Sequence, residues 1–390
     1  MKDAIISIAA GSSQEALIRR IKERGFSVIG VDINPKAPSF KFCDECLIES
    51  THNAETIIEK LEKLRIKWNF RGIITQSSGL PVITAAKIAE HFNLRYVSPN
   101  IAEIVTDKGQ LISTLNAKDI PAPKINIIST KGVTRVNFSP PFFVKPSVCF
   151  KTHTAMTKVE KYSSLQQAIK KSMEVSETGR VNVEQFIDGV DILSIDWVYN
   201  RKIIHVATMK EITSGEPYFY GLGWKIPLTA ELEKIAKKIQ KQFIDALDIN
   251  YSLVQTAMKF DGEKAYIIEV HLDLGGDGIP EVLLPYSLNY DLLNNAINLS
   301  IGEPPQNPHI SPIPTYLRFI LKSEIKGEPV KMFKYIKDHF NGTPVEFNGL
   351  IASMNDELRI GAIIFQSPNI EELNLRVEKF ENWLKTKEIP

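Results

Sequence analysis

Cysteine is scarce, with three residues among 390. That is too few for a disulfide framework in so long a chain, and the simplest setting is a reducing, cytoplasmic one. Long apolar runs are also missing. No stretch approaches the roughly 18 apolar residues that a membrane span needs, so no membrane partner is expected. Neither sign of charge dominates: 47 basic residues face 46 acidic ones, for a net charge of +1. Without a basic patch or tail, nucleic acid is not expected as a main partner, because such binding needs concentrated positive charge. The apolar run at the N-terminus is short, carries Asp3 at its start and ends in a Gly-Ser turn. It reads as a buried first strand and not as a signal peptide.

What is present is globular composition, 43% apolar and 24% charged, in a chain long enough for two to four packed units. The first hundred residues alternate strand and helix signals. Residues 4–9, 27–32, 72–75 and 95–97 read as strands, and residues 16–24, 56–64 and 80–92 as helices. Such alternation implies an α/β unit with a parallel sheet covered on both faces. A helix starting near Asp107 ends at Ile120-Pro121-Ala122-Pro123, where the prolines stop it. Strands follow at 142–144, 155–158, 181–186, 192–199 and 202–209, then a helix over 230–247. Residues 253–260 and 265–270, joined at Asp261-Gly262, read as a hairpin. A helix over 291–299 precedes the Pro-rich linker 304–314. Residues 315–390 alternate again and end in an amphipathic helix over 370–384.

Chemistry gathers in three places. Lys108 opens a helix after Asp107, and Lys145 ends the apolar strand Phe142-Phe143-Val144. A lysine on a buried strand is costly to desolvate unless it meets an anion; the plainer alternative is a snorkelling edge residue. The stretch Glu184-Gln185-Phe186-Ile187, with Asp191 beyond a turn at Asp188-Gly189, offers strand-edge backbone groups and carboxylates to a polar ligand. Last, Glu269 and His271 are two residues apart on one strand and so leave the same face, with Gln255 able to face them across the hairpin. Oxygen ligands on rigid strands suit Mg²⁺ when phosphates complete its shell. Their position, at the end of an apolar strand before Gly275-Gly276, is where α/β sites usually lie.

In this order, the motifs resemble the ATP-grasp superfamily over nearly the whole chain. Asp107-Lys108 with Leu115 and Ile120-Pro121-Ala122-Pro123, Val144-Lys145-Pro146, and Glu184-Gln185-Phe186-Ile187 with Asp191 are similar to its nucleotide-binding stretches. Gln255, Glu269 and His271 are similar to its metal-binding trio, with a glutamine first member as in the carbamoyl-phosphate synthase branch. Gly215-Glu216-Pro217-Tyr218-Phe219 and the run from Glu269 to Glu281 look like the amino-acid and peptide ligase branch.

The resemblance implies an ATP-grasp fold: a Rossmann-like pre-ATP-grasp domain over 1–103, ATP-grasp lobes over 104–303 with a lid near 124–188, and a C-terminal α+β domain over 315–390. It implies that Lys108, Lys145, Glu184, Gln185, Ile187 and Asp191 hold ATP, and that Gln255, Glu269 and His271 hold Mg²⁺ or Mn²⁺. It further implies that Lys145, Lys151 and His153 serve catalysis and that Asp273, Gly275 and Gly276 meet the substrate. The activity implied is ATP-dependent carboxylate–amine ligation through an acyl phosphate. Activation of bicarbonate and non-catalytic ATP binding are the alternatives. The partners are then a small carboxylate and an amine, with a homodimer left as an option.

Two departures from the family pattern stand out. His271-Leu272-Asp273 replaces the usual Asn-Pro-Arg, so an anion clamp is lost and the acid could instead hold an amine. The lid loop over 147–154 reads SVCFKTHT and has no glycine. Lys151, His153, Thr152 and Thr154 would then contact phosphate through side chains. Other features carry less. Gly11-Ser12-Ser13-Gln14 with Asp32 lacks the three-glycine dinucleotide pattern. Cys43 and Cys46 have metal-pair spacing but no second pair.

Overall fold

The structure, a computed structural model, describes residues 1–129, 136–148, 155–216, 219–325, 327–347, 353–354 and 357–386. Four parallel strands open the chain: β1 (Lys2–Ile8), β2 (Ser27–Asp32), β3 (Glu45–Ile48) and β4 (Trp68–Ile74), in the order β3-β2-β1-β4. Residues 4–8 of β1 are all buried, as a strand covered on both faces must be. The flanking helices are α1 (Glu15–Glu23), α2 (Ala54–Leu64) and α3 (Leu80–His91). Helix α1 turns Leu17, Ile18 and Ile21 inward and pairs Arg19 with Glu15 outside at 2.9 Å, the arrangement that helical spacing dictates.

The strand expected at 95–97 does not form. These residues attach by their side chains instead of their backbone. Val97 is buried beside Ile101, and Tyr96 packs against both the core of this sheet and a second core farther along the chain. Two helices follow directly, α4 (Pro99–Thr106), capped by Ser98, and α5 (Lys108–Ala117), capped by Asp107.

A small antiparallel sheet comes next, built from β5 (Ile125–Ser129), β6 (Phe142–Pro146), β7 (Thr157–Val159) and β8 (Arg180–Gln185), in the order β5-β8-β6-β7. One of its faces carries Phe142, Val144, Val181 and Val183. These pack on Leu165, Ala168 and Ile169 of α6 (Tyr162–Met173). By the two-residue period of a strand, Lys145, Asn182 and Glu184 belong to the opposite face.

The rest of the chain builds a nine-stranded sheet. Its strands are β9 (Val190–Tyr199), β10 (Lys202–Thr213), β11 (Gly221–Ile226), β12 (Ser252–Phe260), β13 (Ala265–His271), β14 (Thr315–Leu321), β15 (Thr343–Val345), β16 (Ser353–Met354) and β17 (Glu357–Gln366). The path runs β13-β12-β9-β10-β11-β14-β17-β15, with β16 beside β17. Strands β14 to β17 of the C-terminal part continue this sheet through the β11–β14 pairing.

Five more helices cover the sheet: α7 (Ala230–Ala246), α8 (Leu284–Leu288), α9 (Leu292–Ile301), α10 (Pro329–Phe340) and α11 (Ile370–Thr386). One face packs on α7 through Ile192, Val254, Met258 and Ile267. The other joins Leu193, Ile195, Met209, Trp224 and Leu317 to α1 and α9. The Pro-rich segment is tied down: Trp197 Nε1 donates to Tyr290 Oη at 2.9 Å, and that hydroxyl donates to the Gln306 carbonyl at 2.8 Å. No helix of the described residues is long and apolar enough to cross a membrane.

Candidate functional site

Helix α5 begins where the small sheet meets the large one. The Asp107 carboxylate accepts from the N–H groups of Gly109 and Gln110 at 3.0 and 3.1 Å, satisfying donors that a helix start leaves open. It also accepts the Ser147 hydroxyl at 2.8 Å and pairs with the Arg180 guanidinium. One side chain thereby fixes the first turn of α5 to β8 and to the residue that follows β6. Lys108, in that turn, reaches Glu269 with Nζ 2.8 Å from Oε1.

Lys145 is nearly sealed from solvent. Its side chain is 3% exposed and lies 2.9 Å from Glu184, itself 2% exposed. The second Glu184 oxygen and both amide atoms of Asn182 are buried without a hydrogen-bond partner among the described residues. Asn182 stands opposite Lys145 in the β6–β8 ladder and beside Gly109 of α5. Buried polar groups are rarely left unsatisfied. A cation, an amide and a carboxylate oxygen with open capacity fit a nucleotide seated between α5 and the small sheet. At the hinge, the N–H groups of Gln185 and Phe186 donate to the Lys124 and Pro141 carbonyls at 2.8 and 3.0 Å. Ile187 is buried, and Asp191 pairs with Lys259 at 2.8 Å.

The β12–β13 hairpin supplies the carboxylate. Its register pairs Ala257 with Glu269 and Met258 with Ile267, so Ile268 is bulged out of the ladder. The bulge reverses the alternation. Ile267 and Val270 both enter the core under α7, while Glu269 and His271 share the other face. Burial pushes the Glu269 carboxyl up, but Lys108, then His271 and Lys145, outweigh it and hold it below the usual carboxylate range. His271 Nε2 is 3.6 Å from Glu269 Oε1.

Gln255 pairs with His271 across the hairpin but is buried, and its Nε2 donates to the Asp273 carbonyl at 2.8 Å. Among the described residues no three His, Cys, Asp or Glu side chains form a metal cage. A carboxylate at Glu269 and a carboxamide oxygen at Gln255 are hard donors, and they suit a magnesium ion that takes most of its shell from phosphate and water. The imidazole of His271 is the less usual ligand.

Asp273 is buried, and its Oδ1 accepts the Gly275 N–H at 2.8 Å. That carboxylate shapes the loop. Gly275 has a φ of 69°, and a Cβ there would lie 2.7 Å from Gln255 Nε2, so its lack of a side chain is a packing requirement. A Cβ at Gly276 would meet nothing within 4 Å. Lys151, His153, Thr152 and Thr154, together with Cys149, Pro217 and Tyr218, lie outside the described residues. Cys43 and Cys46 are free thiols.

Sequence reasoning missed Glu211. The strand expected to stop at 209 runs to Thr213, which places Glu211 on the sheet face shared by Asp191 and Glu269. A charged residue after the apolar run of β10 is the same signal that singled out Lys145. Burial, then the carboxylates of Asp191, Asp277 and Glu269, push its carboxyl up to about 8.

An ordinary carboxylate titrates near ~4.3, so the folded state holds this proton more tightly than the unfolded chain. The stabilisation is complete below that value and is lost as pH rises towards 8. Glu211→Gln is therefore expected to gain stability over the parent chain through this window, by at most about 1.4 kcal/mol per pH unit. Urea denaturation at about pH 5, 7 and 9 measures it, and parallel curves for the two proteins would refute the assignment.

No protein-family model matches the chain. Over 261 residues it is 24% identical to the carbamoyl phosphate synthase large chain of Thermotoga petrophila, a match covering 64% of this chain and 23% of that protein. The chain thus matches under a quarter of the length of this curated relative. Among solved structures it is similar to the L-amino acid ligase of Bacillus licheniformis, with a TM-score of 0.75, 18% identity and coverage of 99% and 97% of the two chains. It is also similar to the N5-carboxyaminoimidazole synthetase of Staphylococcus aureus complexed with ADP, with a TM-score of 0.75, 13% identity and coverage of 98% and 97%. With its parallel N-terminal sheet, its small antiparallel sheet and its large central sheet, the chain has the ATP-grasp fold.

Proposed function

We propose that the chain is an ATP-dependent carboxylate–amine ligase that forms an amide bond through an acyl phosphate, with release of ADP and phosphate. The observation that carries this reading is the meeting of Lys108 with Glu269 beside the buried Lys145–Glu184 pair and the unsatisfied Asn182 amide. Solved ATP-grasp structures with ADP bound support the nucleotide part of it.

In this reading the Lys145 ammonium and the Asn182 amide bind the phosphates, and Lys108 leaves Glu269 to join them. Asp191 and the backbone near Ile187 orient the nucleoside. Glu269 and Gln255 would hold Mg²⁺, which when bound neutralises the phosphate oxygens during in-line transfer. The substrate carboxylate takes the γ-phosphoryl group as the bond to ADP breaks. The amine then attacks the acyl carbon, phosphate leaves, and the amine loses a proton. The chain's contribution is positioning and charge stabilisation, so no nucleophile triad is required.

The likeness to the carbamoyl phosphate synthase large chain supports a second reading in which bicarbonate is the activated carboxylate. One assay separates them. ADP release is measured with Mg-ATP against bicarbonate alone, and against a panel of amino acids and uronic acids paired with amines. Release that requires an organic carboxylate and an amine is the expected result; release with bicarbonate alone transfers the assignment to the second reading. ATP binding without ADP release across the whole panel would rule out both and leave a non-catalytic nucleotide-binding protein.

A further inference from the structure

Two lysines stand opposite each other in the middle of the large sheet. Lys210 of β10 is the direct partner of Lys225 of β11, and both strands are interior ones, with β9 on one side and β14 on the other. Like charges directly opposite in an antiparallel pair repel and destabilise the ladder. Both residues are half-buried, and neither makes a hydrogen bond or an ion pair among the described residues. Burial, and then the charge of Lys210, hold the Lys225 ammonium below the usual lysine range.

Their face is not that of the nucleotide cleft. The next pair along the ladder, Glu211 with Trp224, alternates to the other side, and Trp224 enters the core shared with α1 and α9. Beside Lys210 stands Ile192, which packs under α7; beside Lys225 stands Tyr316, which packs with α11. The lysines therefore occupy the strip of sheet between those two helices. Glu381, Glu233 and Asp196, on the neighbouring elements, have other partners. Glu381 accepts the Tyr316 hydroxyl at 2.7 Å and the Arg318 Nε at 3.0 Å. Glu233 pairs with Lys237, and Asp196 with His205 at 2.6 Å. Asp191 and its partner Lys259 lie with Glu211 on the cleft side.

An uncompensated pair of cations in a half-buried setting is unfavourable, and an anion held between the two ammoniums turns that repulsion into attraction. Two positive charges match a dianion better than a monoanion. A phosphate group also offers several acceptor oxygens to two flexible ammoniums. We propose that Lys210 and Lys225 form a binding site for a phosphate dianion, carried by inorganic phosphate or by a small phosphate ester, on the face of the large sheet turned away from the nucleotide cleft. The site is independent of the ligase reading, since it requires neither ATP nor turnover.

Inorganic phosphate is titrated into the full chain by calorimetry, above the second ionisation of phosphate and at constant ionic strength in chloride. The parent chain is expected to bind. Lys225→Met and Lys210→Met, which keep most of the stem and lose the charge, are each expected to bind at least about tenfold more weakly. Urea denaturation adds a second readout. Without phosphate each variant is expected to be at least as stable as the parent, because the repulsion is gone; with saturating phosphate the parent is expected to overtake both. Equal phosphate affinity in the three chains, no binding by the parent, acetate binding as tight as phosphate, or variants less stable than the parent in phosphate-free buffer would each overturn the proposal. Glycerol phosphate identifies the source: binding as tight as phosphate or tighter assigns a phosphate ester, weaker binding assigns the free anion, and either supports the site. Calorimetry with Mg-ATP should show one common affinity in the three chains. Variants that lose phosphate and ATP together would place the lysines in the nucleotide cleft and overturn the site. A parent that binds phosphate in the expected pattern but not Mg-ATP sinks the ligase reading alone.

Discussion

Glu269→Gln is expected to lower ATP-dependent turnover by roughly 100-fold or more, while leaving the fold intact. Glutamine keeps the size of the side chain and one oxygen but removes its charge. Glu269 is 30% exposed in its side chain and lies 2.8 Å from Lys108, so the folded chain loses a half-exposed ion pair worth at most about 1 kcal/mol. The chemistry loses far more. In the ligase reading, the cation on the phosphates would then lack its charged protein ligand, and Lys108 would have no acid to hold it back from the nucleotide. The activity should therefore need a higher Mg²⁺ concentration, with metal-free ATP binding kept or slightly tightened. Calorimetry with ATP at graded Mg²⁺, together with ADP release using the substrate pair found in the panel, measures both. Unchanged turnover and an unchanged Mg²⁺ requirement would remove Glu269 from the machinery.

Lys145→Met should act on stability first. It strands Glu184, 2% exposed and already carrying one unsatisfied oxygen, with no counter-charge in a dry site. Breaking a buried pair from one side costs about 3–5 kcal/mol. The double variant Lys145→Met/Glu184→Gln removes both charges and should recover most of that loss. It should not recover nucleotide binding, because the phosphates would meet no ammonium at this strand. Urea denaturation of the single and double variants, with ATP calorimetry on each, tests the pair. A single variant as stable as the parent would show that Glu184 is not dependent on Lys145. A double variant that binds ATP normally would show that Lys145 serves the small sheet alone.

Much of the site was legible because its signals are local. Asp107 before an apolar-faced helix marks an N-cap, and it caps α5. A lysine ending the apolar strand Phe142-Phe143-Val144 marks an ion meant for a partner, and Lys145 is buried against one. Residues 269 and 271 must share a face because a strand has a period of two, and they do. Order along the chain supplied the remainder: helix lysine, strand lysine, hinge acid and carboxylate hairpin occur in a sequence that few folds would require.

Which face Glu269 and His271 share was another matter. An unbroken ladder would have sent Glu269 to the same side as Ile267, into the core under α7; the bulge at Ile268 turns it to the cleft. A bulge depends on the pairing with β12, and no single-strand pattern announces it. The placement of Asp273 was similarly hidden: one of its oxygens accepts a neighbouring N–H, and the other is buried with no hydrogen-bond partner among the described residues. Glu211 and Arg359 come from separate stretches of the chain and share one sheet because β10 joins β11, β11 joins β14 and β14 joins β17. The sequence by itself determined the element types, the apolar faces and where charged residues would need a partner, because those follow from local periodicity and the cost of burying charge. Tertiary structure alone decided which charges face one another, because that depends on sheet order, register and a single extra residue in one strand.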